Sequence, residues 1–249
     1  KNCTNENFIK MEKTASLYCA LDSKDLKTVE ALANKLSESV DGFKLGLEFF
    51  CSNGQEGIER IKTLGLPLFL DLKLHDIPNT VAGAVRSIAP FTPNYLTVHA
   101  SGGSEMLKAA VSASHEEAER LNLPRIKLLA VTILTSLSHS NLESIGMRGN
   151  TEDAVVRLAT LSAESGIDGL VCSPKEIDIV RQKVREDIEI FVPGIRPLGT
   201  MKNDQKRAST PKEAILSGAT ALVVGRPITQ ADNPSQKAKD IQAEIRSAK

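Results

Sequence analysis

Short apolar runs rich in β-branched residues alternate along the chain with longer stretches whose apolar positions recur at helical spacing. The runs ASLYCALD, GFKLGL, LFLDLKL, YLTVHA, KLLAVTIL, GLVCS, IEIFVPG and ALVVGRP read as strands. After them, in order, come SKDLKTVEALANKLSESV, EGIERIKTLG, NTVAGAVRSIA, SEMLKAAVSASHEEAERL, TEDAVVRLATLSAESG, PKEIDIVRQKVRE, TPKEAILSGA and PSQKAKDIQAEIRSA, all read as helices. Strand-then-helix alternation predicts a parallel sheet. Eight such units in 249 residues predict a closed (β/α)8 barrel of the TIM type rather than an open doubly wound sheet. No linker or low-complexity run interrupts the pattern, so residues 1–249 are expected to form one domain. Residues 1–14, polar and without a secretory apolar segment, read as a leader or terminal arm. The longest irregular stretches, SLSHSNLESIGMRGN and IRPLGTMKNDQKRAST, follow the fifth and seventh strands. Loops of that length in a compact domain are often functional.

The strand pleat divides each run into two faces. Leu68, Leu70, Leu72 and Leu74 share one face, expected to pack outward on helices. Phe69, Asp71 and Lys73 share the other, with Phe69 filling the interior and the two charges at the C-terminal mouth. In the first strand Leu17, Cys19 and Leu21 face one way and Asp22 ends the other face. In the second, Phe43 and Leu45 flank an inward Lys44. Asp22, Lys44, Asp71 and Lys73 therefore come from three consecutive strands and converge on the end where barrel enzymes keep their chemistry. Asp22, Asp71 and Lys73 have plainer alternatives, whereas Lys44 interrupts an apolar strand on its inward face. Asp22-Ser23 also has the form of a helix N-cap, and Asp71 with Lys73 could be a structural ion pair in which each charge keeps the other ionised.

Charge and composition narrow the function. The chain carries 31 basic and 31 acidic residues, a formal net charge of zero, which argues against a nucleic-acid surface. It has no tryptophan, and base-stacking platforms are not expected. No apolar run approaches a membrane span. Cys3, Cys19, Cys51 and Cys172 form no CxxC pair, in keeping with a reduced, cytoplasmic setting. Asp71, His75 and Asp76 are residue types that hold metals. Yet His75 lies on the opposite parity from Asp71, and the Lys73 ammonium sits between them and competes with a cation, so no metal is expected. His99 ends the fourth strand and reads as structural; His115 and His139 read as surface positions.

The last two units carry phosphate chemistry. Barrels often hold phosphate with the loops after strands seven and eight, near a helix N-terminus. VPGIRPLGTMKNDQKR and VVGRP supply those loops here. Gly225 allows close backbone approach, and Arg226 offers a fork of donors suited to phosphate. Gln205 can donate without adding charge. Arg196, Lys206 and Arg207 are further candidates.

Together these motifs resemble orotidine 5′-monophosphate decarboxylases. DLKLHDIPNT is similar to the family's DxKxxDIPNT signature, PGIRPLGTMKNDQKRASTP resembles the PGIRP…DQKR…TP loop of its bacterial branch, and VVGRPIT resembles its strand-eight ending. The resemblance runs from Ser16 to the final helix, and Asn203 stands where glycine is frequent. It implies decarboxylation of orotidine 5′-monophosphate to uridine 5′-monophosphate in de novo pyrimidine synthesis, with no cofactor and no metal. It also implies an alternating array of Lys44, Asp71, Lys73 and Asp76, with Lys73 protonating carbon C6. By the same resemblance Asp22 and Lys44 contact the ribose hydroxyls, Thr135 the pyrimidine ring, and Gln205 and Arg226 the phosphate, with Arg196 and Gly225 in the same loops. A homodimer is implied, in which Asp76 and Thr80 reach the neighbouring subunit's site. Two alternatives stand beside it. One is a metal-dependent 3-keto-acid sugar-phosphate decarboxylase or hexulose-phosphate synthase, which share the DxKxxD core. The other is a non-catalytic phosphate-binding barrel.

Overall fold

The computed structural model describes residues 15–197 and 209–248. The 1–14 arm with Cys3, and the loop residues Gln205, Lys206 and Arg207, lie outside the described residues. The elements run β1 (Ser16–Ala20), α1 (Leu26–Leu36), β2 (Gly42–Gly46), α2 (Leu47–Lys62), β3 (Leu68–Leu74), α3 (Pro78–Ile88), β4 (Tyr95–His99) and α4 (Ser104–Leu121). They continue β5 (Lys127–Val131), α5 (His139–Ser144), α6 (Thr151–Glu164), β6 (Gly169–Val171), α7 (Ile177–Arg181), β7 (Glu189–Pro193), α8 (Pro211–Leu216), β8 (Ala221–Val224), α9 (Arg226–Thr229) and α10 (Pro234–Arg246). The strands close into a barrel in chain order, β8 pairing back onto β1, and every pairing is parallel. The (β/α)8 expectation is met.

The two strand faces build two cores. Leu17, Cys19, Leu21, Phe43, Leu45, Leu68, Leu70 and Leu72 face outward. They join the apolar stripes of the helices, such as Val29, Ala33 and Leu36 of α1 and Val81 and Val85 of α3. Each fully buried Val, Leu or Phe among them contributes about 1.5–3 kcal/mol. Inside the barrel, Tyr18, Ala20, Phe69, Leu129, Phe191, Ala221 and Val223 pack as a second cluster. Phe191 lies at its middle, with ring centroids 4.7 Å from Tyr95, 5.4 Å from Phe69 and 5.5 Å from Tyr18. This aromatic plug closes the barrel beneath the mouth. Tyr95 hands its hydroxyl hydrogen to Glu189 at 2.8 Å.

Four local features depart from the simple pattern. The helix expected from Glu56 begins earlier, at Leu47, and breaks at Gly54, whose φ of 53° and ψ of −140° an L side chain would resist. β5 ends at Val131, short of the expected Leu134, although Thr132 N still bonds Val171 O of β6 at 3.1 Å. The long loop after β5 contains the short helix α5, started by a reciprocal Ser138–Asn141 capping box. Finally, β3 is not a regular strand to its end. Its pairing with β4 slips between Leu70 and Leu74, and Lys73 takes a left-handed φ of 51°.

Candidate active site

The mouth site is built from the C-terminal ends of β1, β2 and β3. Lys44 is inward-facing on β2, paired across to Ala20 on β1 and Phe69 on β3. Its side chain is 10% exposed and rises along the barrel wall. There Nζ meets Asp22 Oδ1 at 3.1 Å and Asp71 Oδ2 at 3.4 Å. Lys73 Nζ donates to the other Asp71 oxygen, Oδ1, at 2.7 Å. The order of charges is thus Asp22, Lys44, Asp71, Lys73, alternating in sign. Sequence parity brings these four together, and the structure does so as well.

Asp71 is the hub of the array, its side chain 15% exposed. Burial pushes its pKa up. The neighbouring Lys44 and Lys73 ammoniums, with hydrogen bonds from Lys73 and Thr97, outweigh that and hold it below the ordinary carboxylate value of 3.8. It is therefore ionised at neutral pH. Asp22, by contrast, has a side chain 58% exposed at the rim. The N-cap alternative for Asp22 fails: α1 is capped by Asp25, whose carboxylate accepts from Thr28 N at 3.1 Å. Asp22 is left to Lys44.

Two residues of this site were missed from sequence. Gly46 is the next inward position above Lys44 on β2, level with Asp71. A Cβ there would stand 3.1 Å from Lys44 Nζ and 3.2 Å from Asp22 Oδ1. The absent side chain leaves the space in which that ion pair forms. A glycine at inward parity in GFKLGL was the available signal. Thr97 is the second, fully buried on β4. Its hydroxyl accepts from Lys73 N at 2.9 Å and donates to Asp71 Oδ1 at 3.0 Å. Its only signal was a hydroxyl at inward parity in YLTVHA.

Beside the array lies a cavity of about 200 Å³. Lys44, Asp71 and Lys73 form its charged side; Ile133, Leu134, Val171, Cys172, Pro193 and Val223 form an apolar side, and Thr135 stands at its edge. Burial, with the Glu176 carboxylate adding to it, pushes the Cys172 thiol up, so it is a neutral apolar wall. Ions facing a dry wall interact more strongly than ions in water.

The remaining predicted residues stand further out. Gly225 precedes α9, with Asp22 Oδ2 3.9 Å from where its Cβ would be. Arg226 opens α9 as an exposed guanidinium, with no hydrogen bond or ion pair among the described residues. Arg196 is half-buried and turns its head to Ile195 O at 3.3 Å, while its amide bonds Ser209 O at 3.2 Å, closing the base of the β7 loop. Asp76 and Thr80 do not join the array within this chain. Residues 75–80 are all exposed, Ile77 at 66%, and the Asp76 carboxylate accepts from Ile77 N at 2.6 Å. Among the described residues no three His, Cys, Asp or Glu side chains are grouped to hold a metal ion. The His75 ring lies 5.4 Å from that of His99, and burial, then His75, keeps the His99 pKa below 6.5. His115 and His139 are exposed.

Fold and site define a (β/α)8-barrel enzyme with a charged, half-apolar pocket at its mouth. The model of the orotidine 5′-phosphate decarboxylase / HUMPS family matches residues 15–241, and the chain belongs to that family. It is 47% identical over 229 residues to the orotidine 5′-phosphate decarboxylase of Paramagnetospirillum magneticum, covering 92% of this chain and 97% of that one. It is 44% identical over 245 residues to the one from Moorella thermoacetica, covering 98% and 97%. The crystal structure of orotidine 5′-phosphate decarboxylase from Lactobacillus acidophilus superposes with a TM-score of 0.82 at 34% identity, covering 93% of this chain and 99% of that one. No helix among the described residues is long and apolar enough to cross a membrane.

Proposed function

We propose that this chain converts orotidine 5′-monophosphate to uridine 5′-monophosphate and CO2 in pyrimidine biosynthesis, with Lys73 as the proton donor. Family membership supports the reaction. The observation that carries the mechanism is the Lys73 ammonium held 2.7 Å from an ionised Asp71 at the edge of an apolar pocket.

Breaking the bond between C6 and the carboxylate leaves an electron pair on C6. A fixed ammonium beside that carbon stabilises the developing charge before giving up a proton. The amine left on Lys73 regains its proton from solvent after product leaves. Asp71 orients the ammonium. Asp22 and Lys44 hold the ribose hydroxyls, and Thr135 contacts the pyrimidine ring. Arg226, Gln205, Arg196 and the Gly225 backbone grip the phosphate, which lies remote from the breaking bond. Their binding energy serves the transition state from a distance. The reaction is proposed to need neither metal nor cofactor.

We further propose a single-domain homodimer in which the exposed 75–80 run, with Ile77, packs on a second copy and delivers Asp76 and Thr80 to its site. Cys19, Cys51 and Cys172 are all unbridged, which supports a reducing cytoplasm. The test of function is direct. Protein mixed with orotidine 5′-monophosphate should consume it, followed by ultraviolet absorbance, equally with and without EDTA. No turnover by folded protein would end the proposal. Turnover abolished by the chelator would favour a metal-dependent relative on the same barrel.

A further inference from the structure

We infer that Thr97 is a positioning residue for the reaction: its hydroxyl clamps the backbone of Lys73 to the same Asp71 oxygen that holds the Lys73 ammonium. This rests on the proposed role of Lys73 as proton donor.

The bulge in β3 creates the need. From Leu70 to Leu74 the strand advances four residues while β4 advances two, from Leu96 to Val98. Backbone amides in such a bulge lose their ladder partners, and a buried amide without a partner is costly. Lys73 also takes a φ of 51°, a conformation unfavourable for a residue with a Cβ. Such conformations persist only when the surroundings over-determine them.

Thr97 supplies that determination. Lys73 N donates to Thr97 Oγ1 at 2.9 Å, replacing a ladder carbonyl. The same hydroxyl gives its own hydrogen to Asp71 Oδ1 at 3.0 Å. Lys73 Nζ reaches Asp71 Oδ1 at 2.7 Å. A closed ring results, running from the Lys73 amide through Thr97 to Asp71 and back through the Lys73 ammonium. Both ends of the lysine are tied to one oxygen atom. A hydroxyl suits this position because it accepts and donates at once, and Thr97 is fully buried, so water does not substitute. Its methyl group and restricted rotamer keep the oxygen aimed at β3.

The test is a set of variants at this one position, assayed with orotidine 5′-monophosphate. Thr97→Val keeps the shape and deletes the hydroxyl. It is expected to lower kcat by roughly ten- to a hundredfold, the range implied by loss of a hydrogen bond to a charged group, with KM changed less than about threefold. Thr97→Ser restores the hydroxyl and should return kcat to within about threefold of wild type. Removing a donor from a carboxylate raises its pKa, so the acid limb of the Thr97→Val profile should move to higher pH. If Thr97→Val melts too low to assay, Thr97→Ala, which also lacks the hydroxyl, replaces it under the same criteria. A hydroxyl-free variant with near-wild-type kcat, a serine variant that fails to rescue, or an unmoved acid limb would each overturn the assignment. Wild-type protein in the same assay separates the two layers: if it does not turn over, the proposed function fails, whereas wild-type turnover that survives loss of the hydroxyl removes only the role of Thr97.

Discussion

Lys73 Nζ stands 2.7 Å from Asp71 Oδ1, although the two residues lie on a strand whose regular pleat is interrupted between them. Strand alternation sets the two side chains on one face, and the bulge gives Lys73 a left-handed φ of 51°.

Lys73→Ala is expected to cut kcat by roughly 10³-fold or more, because it removes both the electrostatic stabiliser and the proton source. Affinity for uridine 5′-monophosphate, measured by calorimetry, should stay within about tenfold, since the phosphate and ribose contacts are untouched. Substantial residual turnover would remove Lys73 as the donor.

Asp71→Asn should destabilise the fold at neutral pH, because Lys44 and Lys73 lose the charge between them. The pKa of Asp71 is depressed in the folded state, so its stabilising contribution is present above the ordinary value of 3.8 and is lost as pH falls through the lower folded value. The gap in urea midpoint between wild type and variant should therefore narrow as pH drops below that range. A gap that widened with acid would contradict the ionised Asp71.

Arg226→Ala should lower kcat/KM for orotidine 5′-monophosphate by a factor equivalent to about 1.5–3 kcal/mol, the worth of a hydrogen bond to a charged group. Orotidine, which lacks the phosphate, should be affected little. Equal losses on both substrates would show that the exposed guanidinium does not grip phosphate.

Gly46→Ala places a methyl group 3.1 Å from Lys44 Nζ and 3.2 Å from Asp22 Oδ1. The exposed Asp22 has room to yield, so stability should change by only about 0.5 kcal/mol. The displaced ion pair should raise KM by roughly three- to tenfold, as loss of a ribose contact would. An unchanged KM would separate Asp22 from substrate binding.

Mixing two inactive variants, Lys73→Ala and Asp76→Ala, tests the shared site. If Asp76 serves the neighbouring subunit, hybrid dimers contain one site with both residues intact, and activity should reappear on mixing. A persistently inactive mixture that native mass spectrometry shows to have exchanged subunits would place Asp76 in its own chain's site.

Much of this molecule was written in the order of its residues. The alternation of β-branched runs with amphipathic stretches determined the closed barrel, because a strand with apolar residues on both faces needs helices outside and a filled interior. Parity within those runs placed Phe69 inside, the leucines of β3 outside, and Lys44, Asp71 and Asp22 toward the mouth. The motifs DLKLHDIPNT and VVGRP carried the family. What tertiary structure decided were the features that depend on a neighbouring strand. The slip between β3 and β4 that turns Lys73, the Thr97 hydroxyl that bridges it to Asp71, and the empty volume above Gly46 that admits the Lys44 ammonium all arise from pairing across the sheet. The same holds for Asp25 taking the cap of α1 and leaving Asp22 to Lys44. A linear pattern records which face a residue takes, but not which atoms of another strand meet it there. That is set only when the barrel closes and fixes the stagger of its strands.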